Sequence, residues 1–148
     1  MDKPVQTTKG LQVVLMAEDD EDDRFFVRDA LAAVHPTCEL RFVMDGEELM
    51  EYLLRRGKFA DPELAPRPSF ILLDLNMPKR DGREVLPEIK TDRDLMDIPV
   101  VIWSTSDLDE DKIMCQRAGA NAYLAKPDNY SDLEDALRKL CEKWLRDH

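Results

Sequence analysis

The stretch Phe70-Ile71-Leu72-Leu73-Asp74 constrains the fold of this chain more than any other. Four consecutive apolar residues leave no face for solvent, so a strand built from them has to be covered on both sides, as in the parallel sheet of an α/β domain. The run ends in a carboxylate, and the loop that follows carries the turn formers Pro78 and Asp81-Gly82. In open parallel sheets, functional groups gather just outside the carboxyl ends of strands. Asp74 falls at such a place. Two other strand-like runs end in partners for it: Leu11–Ala17 runs into Glu18-Asp19-Asp20, and Ala122–Ala125 into Lys126-Pro127.

The remaining chain alternates strand and helix patterns. Helical spacing of Val27, Leu31 and Val34 predicts a helix over Asp20–Val34, with acids in its first turn that suit the helix dipole. Glu39–Met44 reads as a second strand, and Asp45-Gly46-Glu47-Glu48 opens a helix through Leu53 that stops near Gly57. Pro62, Pro66 and Pro68 predict a surface loop over residues 58–68. A short helix is expected from about Arg83 to Lys90, with Pro87 either near its first turn or distorting it. Ile98–Ser104 is a fourth strand, Asp109–Ala118 a helix ended by Gly119, and Ala122–Ala125 a fifth strand. Ser131-Asp132-Leu133-Glu134 reads as a capping box for a last helix with Leu133, Leu137, Leu140, Cys141, Trp144 and Leu145 on its apolar stripe. Five strands alternating with five helices imply a doubly wound parallel sheet. One domain over residues 11–148 is expected, after a loose polar arm at 1–10, with no room for an output domain.

Composition removes several functional classes. The 148 residues carry 21 basic against 32 acidic side chains, a formal charge of −11. Such a surface repels phosphate backbones and anionic lipid, which speaks against nucleic-acid and membrane partners. No run approaches the ~20 apolar residues of a membrane span, and no basic leader with an apolar core precedes the first strand. Cys38, Cys115 and Cys141 are isolated and odd in number, which predicts free, mostly buried thiols in a reducing cytoplasm. His35 and His148 are the only histidines, and neither sits where catalysis or zinc binding would need it.

Each candidate site residue has an ordinary reading beside the chemical one. Glu21, Asp22 and Asp23 read as the solvated start of a helix. Glu18 and Asp19 end a strand beside the one that carries Asp74, where carboxylates repel one another unless a cation lies among them. Hard oxygen donors without His or Cys favour Mg²⁺ or a similar ion. Asp74 is either a strand-end cap or, beside a metal, a nucleophile able to form an acyl phosphate. Lys126 is a surface lysine or a point charge for phosphoryl oxygens. Ser104 is a strand-end hydrogen bonder or a donor to the same oxygens, and Tyr123 is a packed aromatic with a wet hydroxyl.

Taken in order, these residues resemble the receiver domain of two-component response regulators, from about Leu11 to Leu145. Glu18 and Asp19 match the family's paired acids, Asp74 its phosphoacceptor, and Asn76 the position whose backbone carbonyl ligates Mg²⁺. Ser104 matches the conserved hydroxyl, Tyr123 the aromatic switch, and Lys126-Pro127 the lysine with its usually cis proline. The run Leu73-Asp74-Leu75-Asn76-Met77-Pro78-Lys79-Arg80-Asp81-Gly82-Arg83-Glu84-Val85-Leu86, with Pro66-Arg67-Pro68 before it, resembles the single-domain regulators that partner phytochromes. The resemblance implies a flavodoxin-like sheet of order 2-1-3-4-5 and Mg²⁺ as cofactor. It further implies phosphoryl transfer to Asp74 from a sensor histidine kinase, with a bacteriophytochrome the candidate kinase. Output would pass through the surface of the fourth helix, fifth strand and fifth helix, to a relay partner or through a homodimer that uses Trp144 and Leu145. Ser104 stands where Thr is commoner, and Pro87 where relatives continue the helix freely.

The rival is a Mg²⁺-dependent phosphatase or phosphotransferase with an Asp nucleophile. Such enzymes place a second Asp two residues on as general acid, and Asn76 in that position cannot transfer a proton. A nucleotide-binding reading lacks a glycine-rich phosphate loop after the first strand.

Overall fold

Three all-buried strands form the centre of the sheet: β1 (Val13–Ala17), β3 (Phe70–Asp74) and β4 (Val100–Ser104). The edge strands β2 (Glu39–Val43) and β5 (Ala122–Ala125) are only partly covered. A computed structural model describes residues 11–146; the polar arm expected at 1–10 and His148 lie outside the described residues. All five strands run parallel in the order β2-β1-β3-β4-β5, as expected.

Strand alternation divides the core in two. Leu15, Ala17, Ile71, Leu73, Val100 and Ile102 point to one face. There they meet Leu49 of α2 (Gly46–Leu54), Val85, Leu86 and Ile89 of α3 (Gly82–Thr91), and Cys115 of α4 (Asp109–Arg117). Val14, Met16, Phe70, Leu72, Val101 and Trp103 point to the other. That face is covered by Val27, Ala30 and Leu31 of α1 (Glu21–Val34) and Leu133, Leu137 and Cys141 of α5 (Tyr130–Trp144). Each fully buried Leu, Ile, Val or Phe contributes about 1.5–3 kcal/mol of transfer free energy, so these two layers hold the sheet between helices.

Most helix starts carry their own cap. Asp20, Asp45 and Asp81 accept from backbone N–H groups in the first turns of α1, α2 and α3. Glu48 returns the bond at α2 by accepting from the Met44 N–H at 2.6 Å. The start of α5 differs from the capping box expected at Ser131. Asn129 is the capping residue and accepts from the Asp132 N–H at 2.8 Å, because its extended backbone leaves Ser131 already inside the first turn. Pro87 lies well inside α3 yet does not end it; its missing N–H costs one helical bond on the solvent side, and Thr91 returns a hydroxyl to the Pro87 carbonyl at 2.7 Å. The 58–68 loop contains single 3₁₀ turns at Gly57–Phe59 and Pro62–Leu64, anchored where Tyr52 donates to the Pro66 carbonyl.

The end of α5 corrects one expectation. A homodimer that uses Trp144 and Leu145 needs both on the surface, but Leu145 is 7% exposed in the second core layer, and the half-buried Trp144 ring lies 5.9 Å from that of Phe70. The helix reaches far enough along the sheet for Leu145 to be covered, while Trp144 stays half-buried against Phe70.

Cys115 and Cys141 are buried and Cys38 half-buried, all as free thiols. No described helix is long and apolar enough to cross a membrane.

Two outcomes test this packing. An alanine Cβ at Gly82 would lie 2.3 Å from the Asp74 carbonyl oxygen. Gly82→Ala should therefore cost about 1–3 kcal/mol by overpacking, read from the midpoint of urea unfolding. Burial pushes the Cys38 thiol up to about 11 and the Cys141 thiol up to about 12. A raised thiol pKa means less thiolate at any given pH below it, so alkylation at pH 8 should be much slower in the native chain than in urea. Fast labelling of all three thiols would contradict the packing.

Candidate functional site

Sheet register brings the chemistry together. Ala17 pairs with Leu73, so Glu18 follows β1 beside Asp74 at the end of β3; Ser104 pairs with Ala125, so Lys126 follows β5 at the same edge. The Lys126 N–H is held by the Ser104 carbonyl at 2.8 Å, which continues the β4–β5 ladder and aims the side chain over the sheet edge.

The Lys126 ammonium lies among three carboxylates: Asp23 at 2.8 Å, Glu18 at 2.9 Å and Asp74 at 3.4 Å. Burial alone would lower its pKa, but hydrogen bonds to Asp23 and Glu18 and the charge of Asp74 overcome this and hold it above the usual lysine range. Glu18 is 1% exposed. One of its oxygens accepts from the Trp103 indole N–H at 2.9 Å and from Lys126, the other from the Asp20 N–H at 3.1 Å. Burial, and then the neighbouring Asp74, raise the Glu18 carboxyl to about 7 against the opposing pull of Lys126. Asp74 is 4% exposed; its Oδ1 accepts from the Asn76 N–H at 3.0 Å, and its Oδ2 faces Lys126.

Oxygens of Glu18, Asp19 and Asp74 all lie within 4.8 Å of one another. With Asp23 added, the pocket gathers four carboxylates and one ammonium, so it keeps excess negative charge that a divalent cation would neutralise. All side-chain donors are hard oxygens, and Asp19 remains exposed to admit an ion with its waters. The residues present therefore fit a Mg²⁺-type site.

Ser104 is fully buried, and its Oγ accepts from the Ser106 N–H at 3.0 Å. Tyr123, half-buried, donates its hydroxyl to the Ser106 carbonyl at 2.9 Å. Both expected switch residues thus meet at Ser106 rather than at the carboxylates. Asn76 is exposed, its side chain held by Arg83.

The structure corrects two expectations at the site. No cis peptide bond occurs among the described residues, so the Lys126–Pro127 bond is trans. Trans is the default X–Pro geometry by about 0.5–1 kcal/mol, and the long lysine stem reaches the carboxylates from it. Asp23 is no bystander of a solvated helix start. It lies four residues before Val27, on the helix face turned to the sheet, and that spacing was present in the sequence. Trp103 carried no such signal, since nothing in an apolar strand tells that its indole N–H will meet Glu18.

With this geometry the comparisons with known proteins are unambiguous. Residues 14–138 match the family model of the response regulator receiver domain. The chain belongs to that family. This receiver is 40% identical over 134 residues to response regulator Rcp1 of Synechocystis sp. (strain ATCC 27184 / PCC 6803 / Kazusa), covering 90% of this chain and 89% of Rcp1. The phosphorylated cyanobacterial phytochrome response regulator RcpA superposes with a TM-score of 0.84 at 40% identity, over 92% of this chain and 95% of RcpA. The Mn²⁺-bound form of Rcp1 gives 0.81 at 39% identity, over 93% and 96%. This receiver is a response regulator with a divalent-metal acidic cluster. The phosphatase alternative is not favoured.

Because the Trp103 indole bonds directly to Glu18, filling the acidic pocket should change its emission. Titration with Mg²⁺ should alter tryptophan fluorescence in the wild type and in Trp144→Phe, and leave it flat in Trp103→Phe. A response carried by Trp144, which packs on Phe70 instead, would contradict the geometry.

Proposed function

We propose that Asp74 is the phosphoacceptor of this receiver, taking a phosphoryl group from the phosphohistidine of a sensor histidine kinase. One observation carries the reading: a nearly buried carboxylate at the end of β3 has one oxygen held by the Asn76 N–H and the other facing Lys126, beside two further acids. In the transfer, an Asp74 oxygen bonds to phosphorus as the histidine N–P bond breaks, and the imidazole leaves with the electron pair. The reaction needs positioning and charge neutralisation more than covalent help. Glu18, Asp19, Asp74 and the Asn76 carbonyl would hold Mg²⁺, which supplies neutralisation of the phosphoryl charge when bound. Lys126 already stands against Asp74 and needs only to exchange carboxylate oxygens for phosphoryl ones. Ser104 would donate its hydroxyl to another phosphoryl oxygen, turning from the Ser106 N–H that its oxygen now accepts. Tyr123 follows as the aromatic switch, since Ser106 holds both side chains.

A phytochrome-type kinase as donor is supported by the likeness to Rcp1 and to the phytochrome regulator RcpA. The high coverage of both relatives supports a single-domain regulator, and the free thiols of Cys38, Cys115 and Cys141 suit a reducing cytoplasm. Output then runs through α4, β5 and α5, to a relay partner or a second copy of the chain. With Leu145 buried, a homodimer through the end of α5 would use Trp144 and its exposed neighbours rather than Leu145.

A small phosphodonor with Mg²⁺ should label Asp74, and Asp74→Asn should reduce incorporation to background. Phosphate mapped by mass spectrometry to another residue would overturn the assignment. Lys126→Ala should bind Mg²⁺ at least as well as the wild type, because a competing cation leaves the pocket. It should nevertheless lose the change in the Tyr123 environment that beryllofluoride, a phosphoryl mimic, induces; loss of Mg²⁺ binding with a retained response would reverse the roles.

A further inference from the structure

Outside the carboxylate pocket, one polar chain joins the loop after β3 to the loop after β4. Arg83, in the first turn of α3, donates through Nη1 to the Asn76 side-chain oxygen at 3.0 Å and through Nη2 to Asp111 Oδ2 at 3.3 Å. The same Asp111 oxygen, in the first turn of α4, accepts the Ser106 hydroxyl at 2.6 Å. Ser106 in turn commits its N–H to Ser104 and its carbonyl to Tyr123. Neither Arg83 nor Asp111 belongs to the phosphoryl or carboxylate sites described above.

An exposed ion pair between two helices would by itself be worth little. This arrangement differs in two respects. The Asp111 side chain is only 15% exposed, and the Ser106 hydroxyl and then Arg83 hold its carboxyl below the usual range. Each end also terminates on a functional loop. Asn76 is gripped twice, by Arg83 at its side chain and by Asp74 at its N–H, which fixes the residue on two sides of the Cα whose carbonyl faces the cation site in the proposed reading. Ser106 is gripped four times, the Leu108 N–H also reaching its hydroxyl at 3.3 Å, and a turn of the Ser104 side chain toward a phosphoryl oxygen would disturb the bond that Ser104 accepts from its N–H.

We infer that Arg83 is a positioning residue which orients Asn76 and, through Asp111, couples the cation-binding loop to Ser106, so that filling the acidic pocket and freeing Ser104 bias one another. This inference rests on the proposed function of the site. Coupling of this kind is reciprocal: what the switch loop does to cation affinity, the cation does to the switch loop.

The test uses the full chain, with Mg²⁺ as the probe. Binding is measured by calorimetry, and the Ser106 and Tyr123 backbone amides are followed by NMR. Arg83→Gln and Asp111→Asn should each weaken Mg²⁺ binding about tenfold, the low end for outer partners of metal ligands. The double variant should be no weaker than the weaker single one, since both substitutions cut the same link. Mg²⁺ should shift the Ser106 amide in the wild type and not in these variants. Ser106→Ala leaves Arg83 on both Asn76 and Asp111, so it should keep Mg²⁺ affinity while losing the shift at Tyr123. Wild-type affinity in Asp111→Asn, or losses that simply add, would reduce the chain to a structural staple and overturn the inference alone. Mg²⁺ binding that survives Asp74→Asn unchanged would overturn the site reading, and this inference with it.

Discussion

The Lys126 ammonium among Glu18, Asp23 and Asp74 is the contact on which the rest of the arrangement turns. Three separate strand ends and the first turn of α1 converge on that one charge. Without it, carboxylates nearly out of reach of water would face only one another, and the cost of such unpaired buried charge is several kcal/mol per group in general. One lysine does not balance four acids. The remaining charge is what makes the pocket receptive to a divalent cation, and burial, with Asp74 beside it, raises the Glu18 carboxyl. Stability of the sheet edge and readiness for phosphoryl chemistry therefore have a common origin.

Ser106 organises the neighbouring edge. Its backbone and hydroxyl hold Ser104, Tyr123 and Asp111 at once, so the loop after β4 sits in one arrangement defined by directional bonds rather than by apolar packing. Such bonds exchange for others at small net cost, whereas the two core layers beneath cannot shift without opening voids. A layer held by exchangeable polar bonds over a close-packed apolar one is a plain physical basis for the proposed switch.

Much of this was legible in the residues. Apolar runs without alternation identified β1, β3 and β4 as central, and Phe70–Asp74 and Ala122–Ala125 have the limits the pattern predicts. β4 starts at Val100 rather than Ile98, after Pro99, which has no N–H to donate. The acidic, aspartyl and lysyl strand ends were readable because a parallel sheet collects its carboxyl ends along one edge. Capping was less so: Ser131 matched a capping pattern, but local backbone geometry chose Asn129.

By itself the sequence determined the class of fold, the order in which functional groups meet the sheet edge, and the donor type available to a cation, since all three follow from periodicity and residue chemistry along the chain. Only the tertiary structure decided that Trp103 holds Glu18, how far Leu145 is covered, and that Arg83 reaches both Asn76 and Asp111. Those contacts join elements far apart in the chain. Each depends on helix rotation and strand register to within a few ångströms, set by how two apolar layers pack and invisible to any local pattern.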